Sequence, residues 1–124
     1  MLKKALLLFV ATTICLSSFS KGKKELTVVF YNVENLFDTI NHPDKRDGDF
    51  TPLGKLSWDT KRYNDKVSKL SYVLSSINKE VLPEIIGLCE IENREVIEDL
   101  IDQERLKKGK YRIAHTESPD KRGI

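Results

Sequence analysis

Two continuous apolar runs constrain the fold of this chain more than any other feature of its sequence. Residues 26–31 read LTVVFY and residues 85–89 read IIGLC, and neither run alternates apolar with polar residues. Continuous runs of this kind are typical of strands buried on both faces. Between and after them lie segments with the helical apolar period of three and four residues. This order predicts an α/β fold with a layered sheet.

The helical segments are predicted from their apolar stripes. The first helix runs from Trp58 to about Asn78 and has Ser57 as its N-cap. Its predicted inner face consists of Tyr63, Val67, Leu70, Val73, Leu74 and Ile77. The second helix covers residues 94–106, and residues 111–115 form a third, short strand candidate. Residues 39–56 contain two prolines, two glycines and dense charge, which indicates a long loop.

The first twenty residues have the features of a signal peptide. Lys3 and Lys4 precede an apolar stretch, and Ser18-Phe19-Ser20 is a small-x-small cleavage site. The stretch is too short to span a bilayer, so we expect an exported, periplasmic or extracellular protein without integral membrane association. A membrane anchor and a buried helix are the alternatives. Lipid attachment at Cys15 is disfavoured, because Ile14 stands where a lipobox has a small residue.

The segment that follows the predicted signal peptide, residues 21–124, is close to electrical neutrality. The whole chain has 21 basic and 19 acidic residues, and removal of the leader takes away two lysines. This balance excludes a strongly basic nucleic-acid tail and an acidic solvating one. Cys89 is the only cysteine of this segment, so a disulfide within it is excluded and a buried structural thiol is expected. We expect a monomer.

Polar residues follow both predicted strands. Asn32 follows the first run and Glu90 follows the second. If the strands are neighbours, these side chains converge at the carboxyl end of the sheet, where ligands bind in open α/β folds. A carboxylate beside an amide oxygen suits a hard divalent cation. A capping Asn and a solvated Glu are the alternative reading of the same spacing.

Several polar residues near this edge are candidates for orienting waters or ligands. They are Glu34, Glu92 and Asn93. Asn35 and Asn93 could instead cap short helical turns. The acidic residues around Gly48, namely Asp44, Asp47 and Asp49, are predicted to form a solvated turn, because the register of a calcium loop fails there.

Residue identity favours the functional reading of these positions. The motifs are VVFYNVENLFD, Trp58 followed by the RY..K helix start, IIGLCEIENREV and SPDKRGI. Together they resemble the endonuclease/exonuclease/phosphatase superfamily, most closely its exported bacterial branch. The resemblance spans residues 26–124. It implies a deoxyribonuclease-I-like, four-layer sandwich of two β-sheets flanked by helices, which some schemes class as α+β.

The resemblance also implies hydrolysis of phosphate esters that depends on Mg²⁺, with Mn²⁺ as an alternative ion. Asn32 matches the catalytic Asn of the first strand, and Glu90 matches the metal-binding Glu. Arg122 matches a phosphate-contacting position in the D-x-R-G segment. Cys89 departs from the Gln that many members carry there. The family's general base, a His oriented by an Asp, belongs to motifs expected beyond residue 124, and neither His42 nor His115 matches it.

Three functions remain open from the sequence. The first is a secreted phosphodiesterase or nuclease acting on a phosphate ester, nucleic acid among the candidates. The second is a non-catalytic binding module or an inactive truncated product, since a shared fold does not guarantee activity. The third is a phosphatase of sugar, inositol or lipid phosphates. We expect the 124 residues to be the N-terminal part of a longer domain, inactive alone.

Overall fold

The described part of the chain is a two-stranded parallel sheet with helices packed on one face. The structure is a computed structural model, and it describes residues 25–79 and 81–124. The predicted signal peptide lies outside these residues. The elements in chain order are β1 (Val28–Leu36), a 3-10 helix (Gly48–Phe50), α1 (Thr60–Ser76), β2 (Ile85–Ile91), α2 (Arg94–Ile101) and α3 (Glu104–Lys107). None of the described helices is long and apolar enough to cross a bilayer.

The two strands are paired in parallel, as the apolar runs predict. The pairing runs from Val28 opposite Ile85 to Asn32 opposite Cys89. The register then shifts before Leu36 meets Ile91. β1 is therefore longer than the predicted strand, which ended at residue 31, because a bulge carries the chain past its polar residues and back into the sheet.

The core lies between the sheet and the helices. Its buried side chains are Val29, Val33, Leu36, Trp58, Tyr63, Val67, Leu70, Leu74, Val96, Leu100 and Leu106. The predicted inner face of α1 is correct except for Val73 and Ile77, which are 37% and 46% exposed. The predicted N-cap was wrong. Asp59 caps α1 by accepting the Arg62 N–H at 2.8 Å, whereas Ser57 lies in the preceding turn with φ of 47°.

The second predicted helix is two helices. Asn93 caps α2 by accepting the Val96 N–H at 2.9 Å, as one of the two predicted roles for this residue required. α2 ends at Ile101, and Gln103 takes an extended ψ of 138° before α3 begins. This break turns the chain so that Leu106 is fully buried in the core.

The third predicted strand is absent from the described residues. Residues 110–116 run beside β2 but form no backbone hydrogen bond with it. The Tyr111 hydroxyl donates to the Pro83 carbonyl at 2.7 Å and holds one end of the segment. A cavity of about 750 Å³ is lined by residues of both β2 and this segment, among them Leu88 and Ile113.

The face of the sheet opposite the helices is apolar and uncovered in the described chain. Val28, Phe30 and Ile85 are 60%, 78% and 51% exposed. Phe30 lies across Gly87, where a Cβ atom would meet the Phe30 ring at 2.8 Å. The described residues thus form an α/β arrangement of one sheet and one helical layer.

Candidate functional site

The Glu90 carboxylate is held by one hydrogen bond to each of its oxygens. The Asn32 side-chain amide donates to Oε1 at 3.0 Å, and the Asn35 backbone N–H donates to Oε2 at 3.0 Å. The Asn32 Oδ1 in turn accepts the Glu34 N–H at 2.7 Å, which fixes the orientation of the amide. The parallel pairing brings these residues together, since both strands reach the same edge of the sheet with their carboxyl ends.

The backbone around this carboxylate is strained. Glu34, Asn35 and Glu90 have φ of 56°, 59° and 63°, in the left-handed region that non-glycine residues rarely adopt. Each such residue costs on the order of 1–3 kcal/mol, and such residues concentrate at functional sites. The bulge in β1 thus turns the Asn35 N–H toward Glu90 at a cost in stability that the rest of the fold offsets.

Lys66 of α1 contacts the opposite side of this bulge. Its ammonium group donates to the Glu34 and Asn35 carbonyls at 2.5 and 3.3 Å. Burial lowers the pKa of Lys66, while the charges of Glu34 and Glu90 act in the other direction. Lys66 also lies 5.8 Å from the ring centre of Trp58.

Arg122 reaches the neighbourhood of Glu90 from the C-terminal segment. The Arg46 N–H donates to the Lys121 carbonyl at 2.8 Å, so the long loop holds this segment in place. Arg122 Nη2 donates a hydrogen bond to Asp120 at 2.7 Å. This hydrogen bond and the charge of the Asp120 carboxylate raise the pKa of Arg122, and the charge of Glu90 adds to the rise. The guanidinium stays largely exposed, with 68% of the side chain accessible.

A second group of acidic side chains lies behind the site. Glu92 is 8% exposed and accepts the Asp38 N–H at 2.6 Å. Burial raises the pKa of Glu92 to about 8. The hydrogen bond from the Asp38 N–H acts in the opposite direction, and the charges of Asp38 and Asp47 add to the rise. Asp47 is only 1% exposed, so the predicted solvated turn was wrong at this position. Its Oδ1 has no hydrogen-bond partner among the described residues.

This arrangement predicts that stability falls with rising pH. Glu92 is protonated in both states below its ordinary pKa of 4.5, and only the folded state keeps the proton up to about 8. The stabilising contribution of this proton is therefore lost as the pH rises from 4.5 to about 8. Denaturant unfolding with all metal chelated, followed across this range, measures the decline. Glu92→Gln should flatten the decline of stability with pH. Glu95→Gln, at an exposed position of α2, is the control and should leave the decline unchanged. An equal slope in Glu92→Gln contradicts the prediction.

The residues around Glu90 fit a magnesium ion. Mg²⁺ is usually bound through one or two carboxylates and keeps several waters. The Glu90 oxygens each accept a single protein hydrogen bond, and Asn32 Oδ1 accepts one, so lone pairs remain on all three atoms. Among the described residues no set of three or more His, Cys, Asp or Glu side chains could hold a metal ion. The free lone pairs of Glu90 and Asn32 are therefore compatible with Mg²⁺, whereas the ligand set of a structural zinc site is not found in this part of the chain.

The structure brings together Asn32, Glu34 and Glu90, and their roles at a metal stay predictions. Glu92 and Asn93 lie farther back, where Asn93 donates to Asp38 Oδ2 at 3.1 Å. Two contributors were not predicted. Asn35 was proposed as a cap, but it lies within β1. Lys66 had no predicted role, although it falls on the same helical face as Tyr63 and Leu70, which is an unusual position for a lysine.

Comparison with known proteins identifies the family of this chain. A family model described as Endonuclease/Exonuclease/phosphatase family matches residues 27–124. The search of curated proteins gave no significant match, and neither did the search of solved structures. The matched residues include both strands, the bulge and the segment that carries Arg122. Members of this family hydrolyse phosphate esters. The chain belongs to the endonuclease/exonuclease/phosphatase family.

Proposed function

We propose that the protein is an exported, Mg²⁺-dependent phosphodiesterase in which water attacks phosphorus. The observation that carries this proposal is the Glu90 carboxylate, fixed by Asn32 and Asn35 at the carboxyl end of a parallel sheet. The uncovered face of that sheet, with Phe30 78% exposed, supports the four-layer sandwich, in which a second sheet covers this surface. The predicted signal peptide supports export, and a monomer is the simplest assembly.

The described residues would divide the work as follows. Glu90 would hold Mg²⁺, and the ion would supply a positive charge that polarises a phosphoryl oxygen and stabilises the transition state. Asn32 keeps the carboxylate in one orientation through its amide nitrogen, while its Oδ1 accepts the Glu34 N–H. Arg122 would contact the phosphate through its exposed guanidinium, sharing its charge with Asp120. The general base would come from the family motifs expected beyond residue 124.

Metal removal tests the proposal. The full-length protein should hydrolyse bis(p-nitrophenyl) phosphate with Mg²⁺ or Mn²⁺, and much more slowly after treatment with EDTA. We expect a loss of at least about 10³-fold, because a metal contributes several kcal/mol to this chemistry. Added Mg²⁺ should restore the rate. Activity that survives EDTA refutes the proposed metal dependence.

A matched monoester separates the enzyme classes. p-Nitrophenyl phosphate carries the same leaving group as the diester, so the ratio of the two rates reports the substrate class. A preference for the diester supports the phosphodiesterase assignment, and a preference for the monoester favours a phosphatase. A full-length protein that binds phosphate esters but hydrolyses neither substrate would indicate a binding module.

A further inference from the structure

The ammonium group of Lys66 lies where the strained bulge of β1 meets α1. It donates to two consecutive carbonyls, those of Glu34 and Asn35, at 2.5 and 3.3 Å. These are the two left-handed residues of the bulge. Among residues 25–79 and 81–124 no carboxylate forms an ion pair with Lys66. The charge of this half-buried lysine is therefore directed at the backbone.

The two sides of the bulge are occupied by different partners. On one side the Asn35 N–H donates to Glu90 Oε2, and the Glu34 N–H donates to Asn32 Oδ1. On the other side both carbonyls accept from Lys66. A charged donor forms stronger hydrogen bonds than a neutral one, with roughly twice the strength. The ammonium group thus offsets the unfavourable φ of the pair and keeps both N–H groups directed at the site.

We propose that Lys66 is a positioning residue of the Glu90 metal site, which acts by holding the Glu34–Asn35 bulge. The inference rests on the proposed function, because it assigns to Glu90 the role of metal ligand. It assigns to Lys66 no contact with the metal or the substrate. Its effect passes through the Asn35 N–H, which keeps the Glu90 carboxylate in the orientation that binds the ion.

The sign of the effect separates positioning from simple charge. Lys66 is a cation close to Glu90, so if it acted through charge alone its removal would strengthen the binding of Mn²⁺ or Mg²⁺. If it positions the carboxylate, its removal weakens binding, by about 10- to 100-fold as for other groups that orient metal ligands. Lys66→Met keeps an unbranched side chain that is one atom shorter and removes the charge and the donors.

The test measures Mn²⁺ binding to the full-length protein by calorimetry, without substrate. We expect Lys66→Met to raise the Kd about 10- to 100-fold and Lys66→Arg to recover part of the loss, because arginine keeps the charge and the donors. Lys69→Met, on the exposed side of the same helix, is the matched control and should bind as the wild type does. Unchanged or tighter binding by Lys66→Met overturns the inference.

A double variant keeps the test decisive if Lys66→Met folds poorly. Glycine adopts positive φ without strain, so Asn35→Gly should hold the bulge without help from the lysine and still present its N–H to Glu90. Lys66→Met with Asn35→Gly should regain both stability and Mn²⁺ affinity. If the double variant regained the stability of the wild type but not its affinity for Mn²⁺, a positioning role of Lys66 would be contradicted. The proposed metal site itself is refuted if the wild-type protein does not bind Mn²⁺, or if the Glu90→Gln variant still binds it.

Discussion

Replacing Glu90 with Gln should reduce hydrolysis of the diester by about 10³-fold or more, equivalent to about 4 kcal/mol. Glutamine has the shape of glutamate, and its one oxygen can accept the Asn35 N–H, so the hydrogen bond that holds the bulge is kept. Its NH₂ group replaces the oxygen that accepts the Asn32 amide, so that second hydrogen bond is lost with the charge. It lacks the negative charge that attracts a hard divalent cation. The expected result is a large fall in kcat/KM, measured at a fixed Mg²⁺ concentration, with a circular dichroism spectrum like that of the wild type.

Two further variants make the result specific. Glu95→Gln removes one carboxylate from an exposed position of α2 and should leave the rate unchanged. Asn32→Ala removes the donor to Glu90 Oε1 but spares the carboxylate, so we expect an intermediate loss of about 10- to 100-fold. Near-wild-type hydrolysis by Glu90→Gln, with the fold intact, would show that the metal lies elsewhere.

The meeting of Asn32 and Glu90 could be predicted because it depends on two strong signals. Each residue follows an apolar run, and two such runs separated by a helical pattern favour a parallel pair. Parallel strands bring their carboxyl ends to one edge of the sheet. The observed 3.0 Å hydrogen bond between the two side chains agrees with that expectation.

The bulge could not be predicted from the same signals. Residues Asn32, Glu34 and Asn35 are polar, and polar residues after an apolar run usually indicate that the strand has ended. Here β1 continues to Leu36, which is fully buried. The geometry depends on Glu90 and Lys66, which are distant in sequence, so no local pattern reveals it.

The buried acids were missed for a related reason. Asp47 lies among glycine, lysine and aspartate residues, a composition typical of a solvated loop. Its burial depends on the loop folding back toward Glu92, in a part of the chain where hydrophobic period gives no information.

The failure at residues 111–115 is of a different kind. Apolar content there predicts a strand, but the sequence cannot show whether its backbone pairs with β2, and no strand forms.

Trp58 should make the largest single contribution to stability among the side chains near the site. It is 8% exposed, and its indole N–H donates to the Phe37 carbonyl at 3.0 Å. The Phe50 ring packs edge-on against it at 6.3 Å. Trp58 therefore joins the long loop to the end of β1 and to the start of α1.

We expect Trp58→Ala to lower the free energy of unfolding by about 3–5 kcal/mol, as for other buried large aromatic residues. Trp58→Phe should cost less, because it keeps an aromatic ring and loses a hydrogen bond worth about 1 kcal/mol and part of the buried area. Urea unfolding followed by far-ultraviolet circular dichroism measures both, since the variants lack the only tryptophan of the chain. Tyr72→Ala is the control, because Tyr72 is an aromatic residue of α1 that is 56% exposed. If Trp58→Ala cost no more than Tyr72→Ala, the loop would not depend on the indole. In that case Phe37, two residues after the bulge, would have to be held in place by Leu36 instead. The Leu36 carbonyl accepts the Glu92 N–H at 3.1 Å.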